Sequence, residues 1–75
     1  MNKTQHLLLK LTEECAEVQK EVCKALEFGL NSTNPETQEV NRLAIAKELN
    51  DLLAIVEMLS DDSGALDASV IYSDE

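Results

Sequence analysis

Two runs of apolar residues at helical spacing fill most of this chain, and they set what it can fold into. In the first, Leu8, Leu11, Cys15, Val18, Val22 and Leu26 trace one face of a helix running from about Thr4 to Phe28. Gly29 is a natural stop. In the second, Ile45, Leu49, Leu52, Ile55, Val56 and Leu59 form an equivalent stripe. Asn34-Pro35-Glu36 has the form of a helix start, with Asn as cap, Pro in the first helical position and an acid in the first turn. The second helix is therefore expected from about Pro35 to Leu59, ending in SDDSG. β signals are almost absent. The expected fold is all-α, with residues 1–60 as a two-helix unit and residues 61–75 as a short acidic tail that forms a weak third helix or lies extended on a neighbour.

A short connection makes consecutive helices antiparallel neighbours, so the expected unit is a helical hairpin. Two helices bury both stripes poorly, and the second is also apolar outside its stripe, at Val40, Leu43, Leu53, Ala54 and Met58. At 75 residues the chain is below the size at which one core is comfortably stable. No disulfide compensates: Cys15 and Cys23 lie eight positions apart, about 12 Å along one helix, which is beyond the reach of a bridge. Further helices are expected from other copies, giving a homo-oligomeric bundle, dimer or tetramer.

Net charge is −9. Nucleic-acid binding requires clustered Lys and Arg, which this balance excludes. It suits a protein that meets anionic ligands through metal cations, or one that acidity merely keeps in solution. The opening MNKTQHLLLKLTEE has no secretory pattern, and no apolar run approaches a membrane span. With two unpaired thiols, these features give a cytoplasmic expectation.

Within the second stripe sits an acid, Glu48, with Asp51 at its edge three residues on. A carboxylate turned toward an apolar interior costs several kcal/mol unless something binds or neutralises it. The first helix carries a matching pair, Glu14 and Glu17. Counted from the connecting loop at about 1.5 Å per residue, both pairs fall roughly 16–24 Å along their helices, so antiparallel packing brings four carboxylates to one level. Like charges converging in a partly dry site need a counter-charge, and oxygen-only ligands select Mg²⁺, or Mn²⁺, over zinc. A di-iron site would want Glu-x-x-His, and the one histidine, His6, is far from these acids.

Glu14-Cys15-Ala16-Glu17 and Glu48-Leu49-Asn50-Asp51, with the words EECAEVQKE, KALEFGL and ELNDLLAIVEML around them, resemble the MazG-type all-α nucleoside triphosphate pyrophosphohydrolases. That group includes the dimeric all-α dUTPases and the phosphoribosyl-ATP pyrophosphohydrolases. The likeness is to the small phage and bacterial members and covers residues 10–60. It implies hydrolysis of an NTP or dNTP between the α- and β-phosphates, giving the monophosphate and pyrophosphate. Glu14, Glu17, Glu48 and Asp51 would be the Mg²⁺ ligands, and Glu17 or Glu14 the base that takes a proton from water.

Two departures stand out. Thirty residues separate Glu17 from Glu48, long for the group, and no Lys or Arg follows Lys47, where relatives carry a phosphate-gripping basic helix. Phosphate contacts then fall to Lys10, Lys20, Lys24, Arg42 or Lys47, or to a neighbouring subunit, with Lys10 and Lys24, on the acid-bearing side of the first helix, the better placed. Each lysine is equally at home as the partner of a nearby Glu. Asn41 is placed to hydrogen-bond a base or ribose, or to serve as a satisfied core amide; Phe28 to stack a base, or to pack; Glu21 as a fifth ligand, or a surface acid. The rival readings are a metal–nucleotide-binding relative with little or no turnover, and a structural acidic adaptor. The inward Glu48 counts against the adaptor, which would display its acids.

Overall fold

The computed structural model describes residues 1–62 and 64–74. It is mostly helical, 71%, with no strand among the described residues. Helix α1 spans Lys3–Phe28, α2 spans Asn41–Glu57, a π-helical turn covers Met58–Asp62, and α3 spans Ala68–Ile71. No helix among the described residues is long and apolar enough to cross a membrane.

Each end of α1 has a local cause. Asn2 Oδ1 accepts the Gln5 amide at 2.8 Å and Gln5 Oε1 accepts the Asn2 amide at 3.0 Å, a reciprocal cap that satisfies two orphan donors. Gly29 ends the helix with φ 102°, a conformation only glycine takes without strain, and its N–H still reaches Ala25 O at 2.8 Å.

The start expected at Pro35 is corrected: α2 begins at Asn41. Asn34 does cap a turn, accepting the Glu36 amide at 2.8 Å, and its carbonyl accepts the Gln38 amide at 2.8 Å. That turn cannot propagate, because Gln38 has φ 63°, in the left-handed region. The chain reverses instead: Asn34 N–H donates to Glu39 O at 2.8 Å, and Thr33 and Val40 form an antiparallel bridge. Backbone bonds from Asn41 to Ser32 and from Arg42 to Leu30 then fasten the head of α2 to the loop.

α1 and α2 pack on one another, and the π turn also touches α1. On α1 the inward row is Thr4, Leu7, Leu11, Glu14, Val18, Glu21 and Ala25, a regular alternation of three and four residues. This shifts the expected stripe by a fraction of a turn: Leu11 and Val18 face in, but Leu8, Cys15, Val22 and Leu26 are exposed, Leu26 at 82%. On α2 the row is Asn41, Ile45, Glu48, Leu52 and Ile55, continued by Leu59 in the π turn. Burial is deepest at the two ends of this seam. Leu7 and Leu59 (0% exposed) close the end away from the loop, and Ala25 and Asn41 close the loop end. Between them half-buried Leu11, Val18, Ile45, Leu52 and Ile55 share the seam with Glu14, Glu21 and Glu48. The tail is anchored by the Ala65 and Leu66 amides on Leu59 O, and α3 is capped by Asp67, which accepts from the Ser69 amide at 3.0 Å.

Candidate functional site

Glu14 and Glu48 occupy the middle of the two inward rows, where the packing of α1 on α2 makes them face each other. Asp51, one turn beyond Glu48 on the same side, completes a group. One carboxylate oxygen from each of Glu14, Glu48 and Asp51 lies within 4.8 Å of the other two. Glu14 and Glu48 are half-buried and Asp51 is exposed, so the group runs from the seam out to solvent.

Glu17 is exposed and is not part of that group, though its charge still acts on Glu48. Of the four expected ligands, the structure gathers three and leaves the fourth beside them.

The electrostatics of this arrangement are unfavourable as they stand. Glu48 is held above the ordinary carboxylate value, first by desolvation and then by the charges of Glu14, Glu17 and Asp51, and a protonated Glu48 hydrogen-bonds Glu14. Glu14 Oε2 is buried and, with Glu48 ionised, has no hydrogen-bond partner among the described residues. A buried acceptor without a donor costs about 1–3 kcal/mol, more when charged.

A divalent cation fits this donor set. All three ligand atoms are carboxylate oxygens with no imidazole or thiolate among them, the preference of Mg²⁺ and Mn²⁺. In an octahedral Mg²⁺ shell neighbouring oxygens sit about 3.0 Å apart and opposite ones about 4.2 Å, so ligand atoms that lie within 4.8 Å of one another would have to close by up to about 2 Å around the ion. The orphaned Glu14 oxygen would gain its missing partner.

At the loop end, about 10–15 Å along the helices from the acids, none of which lines it, lies a cleft of about 550 Å³, within the range of small-ligand sites. Lys24, Phe28, Thr33, Asn34, Pro35 and Asn41 are among its walls. Several of its polar groups are already used. Asn41, 3% exposed, donates Nδ2 to Gly29 O at 2.9 Å and so serves as the amide that ties α2 to the end of α1. Ser32 Oγ donates to Phe28 O, and Asn34 Oδ1 caps its own turn. Phe28 is exposed, with its ring available to a planar ligand.

The cations are also engaged. Lys10 pairs with Glu13 and Lys24 with Glu21, each at 3.6 Å, and Lys47 pairs with Glu39, whose hydrogen bond raises the lysine above its ordinary value. These are exposed or partly exposed pairs of small energetic worth, so an arriving phosphate can displace the carboxylate. The sequence reading missed the loop's part in the cleft walls; the turn residues Asn34 and Pro35 were the available signal, read there as a helix start.

No protein-family model matches the chain, and neither a curated protein nor a solved structure matches it.

Proposed function

We propose that this chain is a MazG-type, Mg²⁺-dependent pyrophosphohydrolase that cleaves an NTP or dNTP between the α- and β-phosphates, with Mn²⁺ able to replace Mg²⁺. In this reading the chain is an antiparallel helical hairpin that works as a homo-oligomer. The observation that carries it is the convergence of one oxygen each of Glu14, Glu48 and Asp51 at the middle of the seam, where Glu14 also keeps a buried oxygen without a partner. Acids that served only solubility would gain nothing from that position.

Glu14, Glu48 and Asp51 would hold the metal. When bound, it supplies neutralisation of the triphosphate, polarisation of the phosphorus and a lowered pKa for water. Glu17, exposed at the edge of the group, is the better placed of the two candidate bases: it can accept the proton of an attacking water while Glu14 remains committed to the seam. Lys24, at the lip of the cleft, would exchange Glu21 for a phosphate, with Lys10 the second candidate one to two turns from Glu14 on α1. The cleft would take the nucleoside, with Phe28 against the base.

The test is pyrophosphate release from a panel of NTPs and dNTPs, with Mg²⁺ and with a chelator, using Glu48→Ala as control. Metal-dependent release that the substitution removes is expected. One observation favours a second reading, a metal–nucleotide binder without turnover: Lys10, Lys24 and Lys47 are all paired within the chain, and no cation follows Lys47. Mg²⁺-dependent nucleotide binding without pyrophosphate release would select it.

A further inference from the structure

The cleft at the loop end carries polar groups that neither the fold nor the acid group uses. Phe28, in the last turn of α1, walls the cleft and is 63% exposed, so its ring is open to a planar ligand. Glu36, another wall residue, is exposed, and its carboxylate has no hydrogen bond or ion pair among the described residues. Its backbone amide donates to Asn34 Oδ1 at 2.8 Å, so both side chains leave one tight turn. That bond and the one from the Thr37 amide occupy the Asn34 oxygen, leaving Nδ2 without a partner among the described residues. Deeper in the wall, Asn41 is 3% exposed; it spends Nδ2 on Gly29 O and keeps Oδ1 as an acceptor.

We infer that this cleft is a guanine site that selects guanine nucleotides over others, with Glu36 as the specificity-determining residue. Reach comes first. Lys24 and Asn41, the cleft residues nearest the acids, stand seven positions from Glu17 and Glu48, about 10 Å along their helices. A base that enters the cleft from an α-phosphate at the acids must carry its polar edge far from the sugar. A purine does so, because its six-membered ring lies beyond the five-membered ring that bears the sugar. A pyrimidine falls short. Hydrogen bonding then chooses between the purines. Guanine presents N1–H and the 2-amino group side by side, and one carboxylate accepts both in a bidentate, charge-assisted pair. Its O6, next along the same edge, accepts from Asn34 Nδ2. Adenine sets the N1 lone pair beside its 6-amino group, so an ionised carboxylate meets one donor and one repelling acceptor. The assignment rests on the proposed nucleotide chemistry and names its base.

The test is titration calorimetry of the intact chain with GMP, IMP, AMP, CMP and UMP in Mg²⁺, repeated on Glu36→Gln and Phe28→Ala. GMP is expected to bind roughly tenfold or more tightly than AMP, CMP or UMP, the discrimination of one good bidentate contact. IMP, which keeps N1–H but lacks the 2-amino group, falls between. Glu36→Gln should weaken GMP and strengthen AMP, since a carboxamide supplies the donor that adenine N1 needs. Its melting temperature should match the native one, because the carboxylate ties nothing in the fold. Phe28→Ala should weaken all five ligands. Equal affinity for GMP and AMP, a preference that survives Glu36→Gln, undiminished binding to Phe28→Ala, or no binding of any of the five would overturn the guanine site. Pyrophosphate release, read in parallel, separates this claim from the hydrolase. Guanine-selective binding without release overturns turnover and keeps the site, whereas release without base preference does the reverse.

Discussion

Glu48 is the residue on which sequence and structure agree most closely, and its energetics can be tested without any substrate. Its carboxyl sits above the ordinary value through desolvation and the charges of Glu14, Glu17 and Asp51. Such a group stabilises the fold fully at pH below its unfolded-state value, and the contribution is lost as pH rises through the folded-state value. The metal-free protein is therefore expected to melt at a higher temperature under mildly acidic conditions than at neutral pH. Glu48→Gln should flatten that dependence, which thermal melts in chelator will show. Asp67 acts in the opposite sense: hydrogen bonds from Ser69 hold it low, so its contribution is lost only as pH falls through that lowered value. In chelator, Glu48→Gln should also raise the neutral-pH melting temperature, because it removes a charge crowded by Glu14, Glu17 and Asp51; with Mg²⁺ present it should abolish activity. The acid pairs were legible because an acid inside an apolar stripe violates a rule that core residues otherwise obey. The unequal roles of Glu14 and Glu17 were not, since a turn's difference in facing depends on the true seam, displaced from the one drawn through Leu8, Cys15 and Val22.

At the scale of elements, α1 was readable to within a residue at its start and at its end because both ends are made by local chemistry, an Asn–Gln cap and a left-handed glycine. The head of α2 was not. Asn34-Pro35 begins a helical turn as expected, but whether that turn grows is decided by the Thr33–Val40 pairing and the conformation of Gln38, which no local pattern announces. The register count from Pro35 consequently overstated the depth of Glu48, which lies about 10 Å along α2 from Asn41; it met Glu14 all the same. The element that replaces the expected first turns is held by Asn41. Asn41→Ala removes the Nδ2 bond to Gly29 O, which then keeps only the longer Ser32 N–H bond at 3.3 Å, a loss of about 0.5–1.5 kcal/mol that denaturant melts will register. Gly29→Ala should cost about 1–2 kcal/mol by forcing a Cβ into φ 102°. If either substitution is neutral, the loop does not fasten the two helices.

At the scale of the whole molecule, one chain is a single layer of helices whose deepest apolar contacts lie at the ends of the seam and whose centre is acidic. In the proposed reading, stability comes in addition from a metal across the acids and from a second copy of the chain. Both are mass-action effects. The melting temperature should accordingly rise with protein concentration and, independently, with Mg²⁺, and Glu48→Gln should remove the second dependence while keeping the first. All-α character was legible from the helical spacing of the apolar residues. Which of them are left exposed required the seam itself. The claim that joins these scales is that the inward carboxylates exist to hold a divalent cation, and titration calorimetry with Mg²⁺ and Mn²⁺ tests it most directly. Saturable binding in the native chain, lost in both Glu14→Gln and Glu48→Gln, is the predicted result; native protein that takes up no cation up to millimolar concentrations, or variants that bind as well as it does, would contradict it.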